Sequence, residues 1–435
     1  VHPFGYSLLS PWIMAVLGVG LSGLIAAVAG AVLLARLLRG SERPLLAGLA
    51  GAVFLVADVA SGRTTFALGA VAALGALVVL PRRRWAAVLA VLTALLSPVA
   101  AAFLGFAAAL LVLHRRPGGW VVGIAATVPV LVLAVLFPGG GVQPFTTRSA
   151  VHGFVVAVVV TAVTSSPVVR TGAALYALAI VVFLNHADPF GSNVLRLGLL
   201  VAAPVVLATA RRNAGVVLAA VAVCLWWQTP PTQGDLETDP SGGYAALTAQ
   251  LQHLGSQRVE VVAPRDHRES WLVASHVPLA RGWARQVDVV RNPVFYDHTL
   301  SAATYRRWLL DHAVDSVAVP RHGPLDMAAI AESALIAKGL DGLQQVWQDG
   351  AWTLYRVTGA EPLAPAPAEV VSSSRTALVV RSGARTEVRL PVQWSRWLTV
   401  DGPGCVTRDG DEVWLRFDGA GTLRLGSSLL PRRHC

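Results

Sequence analysis

Ten apolar runs in the first 227 residues limit what this chain can fold into. They cover 13–36, 45–61, 64–80, 85–97, 99–113, 119–137, 149–165, 168–184, 194–210 and 214–227. A helix that crosses a bilayer needs about 20 apolar residues, roughly 17 to 25. Most of these runs reach or approach that length. The interruptions, such as LRGSERP, DVASGR, HRRPGG and NHADPFGSN, are short and polar. The pattern predicts an α-helical polytopic membrane bundle of about nine or ten segments. Hydrophobic residues are 54% of the chain, and mean hydropathy is +0.58. That excess lies almost wholly in residues 1–227, and 228–435 reads as water-soluble. The expected division is a membrane domain at 1–227, a linker at 228–243, an α/β domain at 244–360, a Pro-rich linker at 361–370 and a β-rich domain at 371–435.

Charge divides at the same place. Up to Trp227 there are fourteen Arg against three acids, Glu42, Asp58 and Asp188; beyond it, twenty Arg and Lys338 face twenty-two acids. The net charge of +10 therefore belongs to the apolar half. A sequence pI near 10.5 would ordinarily point to nucleic acid. Here the Arg fall in short clusters between apolar runs, which is how membrane proteins are oriented. The reading is no nucleic-acid partner and a lipid bilayer instead. With Arg36, Arg39 and Arg43 in the cytoplasm, the clusters Arg82–Arg84, Arg115/Arg116, Arg170 and Arg211/Arg212 all stay inside on one condition: residues 85–113 must turn back at Ser97-Pro98. A single helix kinked at Pro98 is the rival, and it would split two clusters across the membrane. The hairpin puts NHADPFGSN (185–193) and the C-terminal domains outside. The expected location is thus the plasma membrane, multi-pass, with an extracytoplasmic tail.

In the tail, YAALTAQLQHLG has helical spacing and RVEVVAP reads as a strand. TYRRWLLDHAV then leads into the strand DSVAVP. MAAIAESALIAKGL is a further helix and AWTLYRV a further strand, which together make a small α/β unit. After EPLAPAPAE come TALVVRS, TEVRLPVQW, EVWLRFD and GTLRLGS, separated by DG and GPG turns. These predict a small β-sandwich. Cys405 and Cys435 can pair if the tail is outside the cytoplasm; with no zinc spacing they do not make a metal site.

No P-loop, GxGxxG, HExxH or GxSxG is present. Asp58, near the end of a helix, precedes Arg63 by five residues; the two either form an interfacial pair or act as a base and a phosphate ligand. In NHADPFGSN, Asp188-Pro189 and Gly191 are turn chemistry. His186 and Arg196 are explained less well by a turn, and Arg suits a phosphate through its planar fork of donors. Arg148, which ends the outer stretch FPGGGVQPFTTR, and His152, just after it, join them as candidates. LARGWARQVDVVRNPVFYD (279–297) is either a loop lying over the membrane face, with Trp283, Phe295 and Tyr296 at the interface, or a loop packed on the α/β core. His267, His276, His298, His312 and His322 lack metal-ligand spacing and are read as non-ligands; no metal is expected.

HPFGYSLLSPWIMAVLGV, SGRTTFALG, LLSPVAAAFLGFAAALL, DPFGSNVLRLG, PLARGWARQVDVVRNPVFYD and YRRWLLDHAVDSVAVP resemble a group of actinobacterial polytopic membrane proteins. These are similar to the C-type membrane glycosyltransferase superfamily and to the YfhO-like membrane proteins. The resemblance implies an outward-facing site that moves a sugar from a polyprenyl-phosphate carrier to an envelope glycan, lipid or protein acceptor. Such chemistry uses a carboxylate to take the acceptor's proton and cations for the phosphate leaving group. It also implies an N-terminal helix and an acidic outer loop ahead of VHPFGYS. No acid precedes Glu42, so no catalytic acid carries over. Asp58 and Asp188 are the catalytic candidates. Arg63, Arg148, His152, His186 and Arg196 are the substrate- and phosphate-binding candidates. Either a catalytic segment precedes this sequence or the member is not catalytic.

Three functions compete. The leading one is a glycosyltransferase-like protein using a polyprenyl-phosphate sugar donor, with no certain cofactor. The second is a non-catalytic envelope protein with an exported binding domain. The third is a transporter or lipid flippase, disfavoured because the mid-span regions are almost purely Ala, Val, Leu and Gly.

Overall fold

The structure, a computed structural model, describes residues 7–137, 141–236, 243–374 and 376–435. The first six residues of the VHPFGYS stretch, residues 138–140 of FPGGGVQ, and linker residues 237–242 lie outside the described residues. The chain forms two compact units that divide between residues 237 and 238.

The first unit is helical. Its helices are α1 (Ser10–Leu17), α2 (Val19–Leu37), α3 (Pro44–Ala60), α4 (Thr64–Val78), α5 (Arg83–Leu96) and α6 (Pro98–Leu113). They continue with α7 (Gly119–Leu136), α8 (Thr147–Val163), α9 (Pro167–Asn185), α10 (Leu195–Thr209), which follows a 3₁₀ turn at Gly191–Val194, and α11 (Ala214–Leu236). Among the described residues four helical stretches are long and apolar enough to cross a membrane: Val19–Leu37, Gly119–Leu136, Pro167–Asn185 and Gly191–Thr209. Others, including Pro44–Ala60 and Thr147–Val163, are apolar but shorter. The expected run 13–36 is split at Gly18, whose φ of 78° suits glycine. At the other limit, α11 continues nine residues beyond the expected boundary at Trp227.

Small residues set the packing. Ala76, Ala86, Ala90, Ala94, Ala108 and Ala126 are buried in one cluster of α4 to α7. Close helix approach through such residues is how apolar helices associate without a water-driven force. A Cβ on Gly69 of α4 would stand 2.6 Å from the Ser97 Cβ and 2.8 Å from that of Ala100. The perimeter carries large exposed apolar side chains, among them Val16, Leu45, Val53, Leu131 and Leu218.

The stretch 85–113 is a hairpin. Pro98 begins α6, and the buried Ser97 caps it by accepting from the Ala100 N–H at 3.3 Å. Gly118 packs against Leu80, so both arms end beside the same neighbours. The last carbonyls of α5 have no helical partner. Residues 7–10 supply one: Leu8 and Leu9 N–H donate to Leu95 O at 3.0 and 3.1 Å, and the Ser7 and Ser10 hydroxyls donate to Leu96 O at 2.8 and 2.9 Å. A helix break in apolar surroundings stands only with such replacements.

One end of the bundle gathers Glu42, Arg43, Arg170, Arg211 and Arg212. Arg43 donates to Ala210 O (2.7 Å), Arg170 to Thr164 O (2.9 Å), and Arg211 pairs with Glu42 (2.7 Å). Ser165 N–H donates to Thr209 O in the same place.

The second unit begins with α12 (Tyr244–His253), β1 (Val259–Val261), α13 (Glu269–Leu272), α14 (Arg285–Arg291), α15 (Ala302–Asp311), β2 (Ser316–Pro320), α16 (Ala329–Ala337), β3 (Leu343–Gln348) and β4 (Trp352–Val357). They form a sheet of order β1-β2-β4-β3, parallel between β1 and β2 and antiparallel elsewhere. Helices α12 and α15 bury Leu247, Leu251, Tyr305 and Leu309 against it. A second, strand-only region follows: β5 (Ala368–Ser373), β6 (Leu378–Ser382), β7 (Thr386–Gln393), β8 (Leu398–Asp401), β9 (Gly404–Asp409), β10 (Glu412–Phe417) and β11 (Gly421–Ser427). Two antiparallel sheets, β7-β10-β9 and β5-β6-β11-β8, share one core of Val380, Leu390, Val400, Leu415, Phe417 and Leu423. This is the expected sandwich. β5 begins at Ala368, inside the expected Pro-rich linker. Cys405 and Cys435 are joined in a disulfide.

Candidate functional site

The candidates of the helical unit fall into three places. The first is the start of α4. Asp58, buried in the last turn of α3, pairs with Arg63 at 3.5 Å, and Asp58 O accepts from the Arg63 N–H at 3.2 Å. Arg63 is the residue that caps α4. Three residues on, the buried Phe66 lies under the Arg196 guanidinium, 5.6 Å from ring centroid to Cζ. Two cations and a carboxylate thus meet the first turn of one helix. The tight α3–α4 connection brings Asp58 and Arg63 together; α10 delivers Arg196 from its second residue.

The second place is the NHADPFGSN turn. Asp188 Oδ1 accepts from the Phe190 and Gly191 N–H groups at 2.6 and 3.0 Å, a side-chain mimic of a backbone turn. Asp188 O accepts from the Gln143 N–H (2.9 Å), and Gln143 donates to the Ser192 hydroxyl (3.1 Å). Gly191 has φ +40°, and a Cβ there would lie 2.1 Å from Gln143 O, so only glycine fits. These contacts give Asp188 a structural job. Phe190 reaches Phe103, and Phe103 reaches Phe66, with centroids 5.8 and 5.9 Å apart. An aromatic row therefore joins the turn to the Asp58–Arg63–Arg196 corner.

The third place holds the remaining candidates, which are not brought to that corner. His152 sits edge-on to Trp226 of α11, 4.7 Å between centroids. Arg148 is exposed in the first turn of α8, and His186 is exposed where α9 ends.

A fourth cluster was missed by sequence reasoning, and it lies in the α/β domain. Arg281 is almost fully buried among three carboxylates. It contacts Glu260 and Glu332 at 2.7 Å each and Asp288 at 3.7 Å. Its Cζ stands 3.6 Å over the Phe295 ring. Tyr305 donates to Glu332 (2.8 Å), Tyr296 to Asp288 (2.6 Å) and Asn292 to Asp288 (2.7 Å). Burial pushes the Glu260 carboxyl well above its ordinary range; Arg281 opposes the shift, while Glu332 and Asp288 add to it. Beside this core His267, at φ +54°, holds Glu269 on Nδ1 (3.1 Å) and Asp326 on Nε2 (3.4 Å), and Arg285 also pairs with Asp326. Burial lowers the His267 pKa, but the bonds and charges of Asp326 and Glu269 outweigh it and raise it to about 9.

Of these groups, Arg281, Asp288, Tyr296, His267, Glu269 and Asp326 line a cavity of about 20 Å³, together with Trp283. That is room for one water-sized group, not a sugar. Glu269 Oε2, buried, has no hydrogen-bond partner there. The segment 279–297 is therefore packed on the α/β core through Arg281, Asp288 and Phe295, and only Trp283 of its expected interfacial aromatics is exposed. Two signals for this cluster were present in the sequence: a Glu inside the strand RVEVVAP, and another inside the apolar helix AAIAESALIA. Among the described residues no group of three or more His, Cys, Asp or Glu is arranged to hold a metal. Perturbed, buried ionisable groups mark functional sites but also structural ion networks. The closed packing here fits the latter.

No protein-family model matches this chain, and no curated protein matches it.

Proposed function

We propose that the chain is a multi-pass protein of the plasma membrane with its α/β and β-sandwich domains outside the cytoplasm. In this reading the Asp58–Arg63–Arg196 corner receives the phosphate of a polyprenyl-linked sugar during envelope glycan assembly. The observation that carries it is the meeting of two guanidinium groups and a carboxylate at the first turn of α4. The acceptor hydroxyl would attack the anomeric carbon as its bond to the carrier phosphate breaks. Asp58 would take the hydroxyl proton, and Arg63 and Arg196 would neutralise the departing polyprenyl phosphate.

Several independent features support the membrane setting. The exposed Leu and Val of the perimeter suit lipid. Trp85 and Trp120 are exposed next to the clusters Arg82–Arg84 and Arg115/Arg116, as anchors at a membrane interface are. The hairpin at Ser97-Pro98 is the return that a common side for the Arg clusters calls for. The Cys405–Cys435 bond supports export, since disulfides persist mainly in oxidising compartments.

The test is binding of polyprenyl monophosphate to the protein in lipid nanodiscs, followed by native mass spectrometry. Arg63→Gln and Arg196→Gln should each weaken binding about tenfold, equivalent to ~1.4 kcal/mol. Unchanged binding in the double variant would sink the site. A second reading is favoured by the structural work of Asp188 and by the ion pair that holds Asp58: the bundle anchors an exported binding domain without catalysis. Intact phosphate binding with no sugar transfer from any polyprenyl-phosphate donor would favour it.

A further inference from the structure

One end of the α/β domain exposes several large apolar side chains. The carboxyl ends of β1 and β2 lead into the loops 262–268 and 321–328, and the cavity at this end is lined by Val261, Ala263, Trp283 and Ala328. Three large apolar side chains stand out there into open surroundings: Trp283 at 59%, Met327 at 51% and Ile330 at 59% exposure. All three lie on the loops and the helix start at this end. Arg285 pairs with Asp326, which brings the Trp283 loop to the residue next to Met327. Met327 lies in the turn just before α16, and Ile330 is the second residue of that helix. Arg265, Arg321 and His322 are exposed on these loops, while Asp326 and Glu269 at the same end are buried.

The chain also arrives at this end. Tyr244, the first residue of α12, has its ring 5.2 Å from that of Trp352. Trp352 pairs with Pro320, the last residue of β2. Residues 237–242 connect α11 to Gly243. The end that receives the tether is thus the end that exposes aromatic, apolar and basic groups. That combination is the one found at membrane interfaces, where Trp sits at headgroup depth and Arg meets lipid phosphate.

We propose that this end of the α/β domain is a membrane-docking face whose partner is an anionic lipid surface. Trp283, Met327 and Ile330 enter the headgroup layer, and Arg265 and Arg321 meet its phosphates. The buried Arg281 and His267 networks hold the Trp283 loop in place for this contact. The proposal rests on the reading of the helical unit as bilayer-embedded, and the experiment separates the two.

Cys224 is buried and Cys405 and Cys435 are paired, so an introduced cysteine is the one accessible thiol. Met327→Cys in the full chain is labelled with bimane and reconstituted in phosphatidylglycerol/phosphatidylethanolamine vesicles that carry a nitroxide near the headgroup. Val132→Cys on exposed α7 reports the bundle, with a deep nitroxide. Gln344→Cys, at the opposite end of the sheet, is the control. Bimane at 327 should be quenched at least twofold, with little change at 344. Adding Trp283→Asp and Ile330→Asp should bring 327 down to the level of 344. Quenching at 132 without quenching at 327 overturns the docking face and leaves the membrane reading standing. No quenching at 132 overturns the membrane reading, and the docking face falls with it. If 327 is shielded from iodide but not quenched by lipid, and the shielding grows with protein-to-lipid ratio, a second copy covers this face and the lipid proposal is wrong.

Discussion

The helical unit and the α/β domain treat charge in opposite ways. In the bundle the interior is mostly Ala, Val and Leu with a few aromatics, and Arg such as Arg43, Arg170 and Arg211 stand at helix ends on carbonyls or on a single acid. In the α/β domain Arg281, Glu260, Glu332 and Asp288 are inside, with the three acids gathered on the one guanidinium. The difference follows from the cost of an uncompensated charge. A long apolar helix has no means to satisfy a mid-span ion, so its charges go to the ends. A small sheet with loops on one edge can surround an ion with partners, at the expense of making every partner necessary.

That necessity gives the largest expected effect. Arg281→Met leaves three carboxylates together without their counter-ion and should cost about 3–5 kcal/mol. Urea unfolding of the full chain, read by protease nicking within residues 244–360, measures it. A loss below about 1 kcal/mol would mean the acids do not depend on the ion, and the contrast would collapse.

The next effect is set by pH. His267 is raised to about 9 in the folded state, against about 6.5 for a free imidazole. Its contribution is complete below about pH 6.5 and is lost as pH rises through about 9, ~3 kcal/mol in all. Stability of the α/β domain measured at pH 6 and pH 10 should show that fall, and His267→Gln should flatten it. An unchanged slope in the variant would assign the pH dependence elsewhere.

In the bundle the effects should come from volume rather than charge. Gly69→Val forces new atoms against Ser97 and Ala100 and should cost about 1–3 kcal/mol through overpacking. A lowered Tm in detergent is the readout, whereas an unchanged Tm would mean that α4 and the hairpin have slack. Smallest is Asp188→Ala, which removes two backbone-to-carboxylate bonds and should cost about 1 kcal/mol. An unchanged Tm would mean that the turn holds without these two bonds.

Much of this arrangement was legible in the sequence. Apolar run length located most of the helices to within a few residues, though not the end of α11, and the alternation of Arg clusters favoured a return at Ser97-Pro98 over a single kinked helix. Alternating strands and DG turns indicated the sandwich. What was not legible depends on tertiary placement. Gly18 splits a run that hydropathy reads as continuous. β3 carries Gln at three positions in place of a clear alternation, and β8, LTVD, alternates but is only four residues long. At the bundle site the Asp58–Arg63 pair was visible as a spacing, but the convergence of Arg196 on Phe66 joins α10 to α4 across 130 residues of chain. The Arg281 cluster draws on β1, two loops, α14 and α16, so no local pattern contains it.

The bonds from residues 7–10 to Leu95 and Leu96 bear on the order in which the bundle is made. Synthesis runs from the N-terminus, so these donors exist well before residues 83–113 leave the ribosome. The hairpin then meets its missing partners on arrival and does not wait for a later helix. Substituting Ser7 and Ser10 should therefore delay the burial of residues 83–113 during insertion more than it lowers the stability of the finished protein.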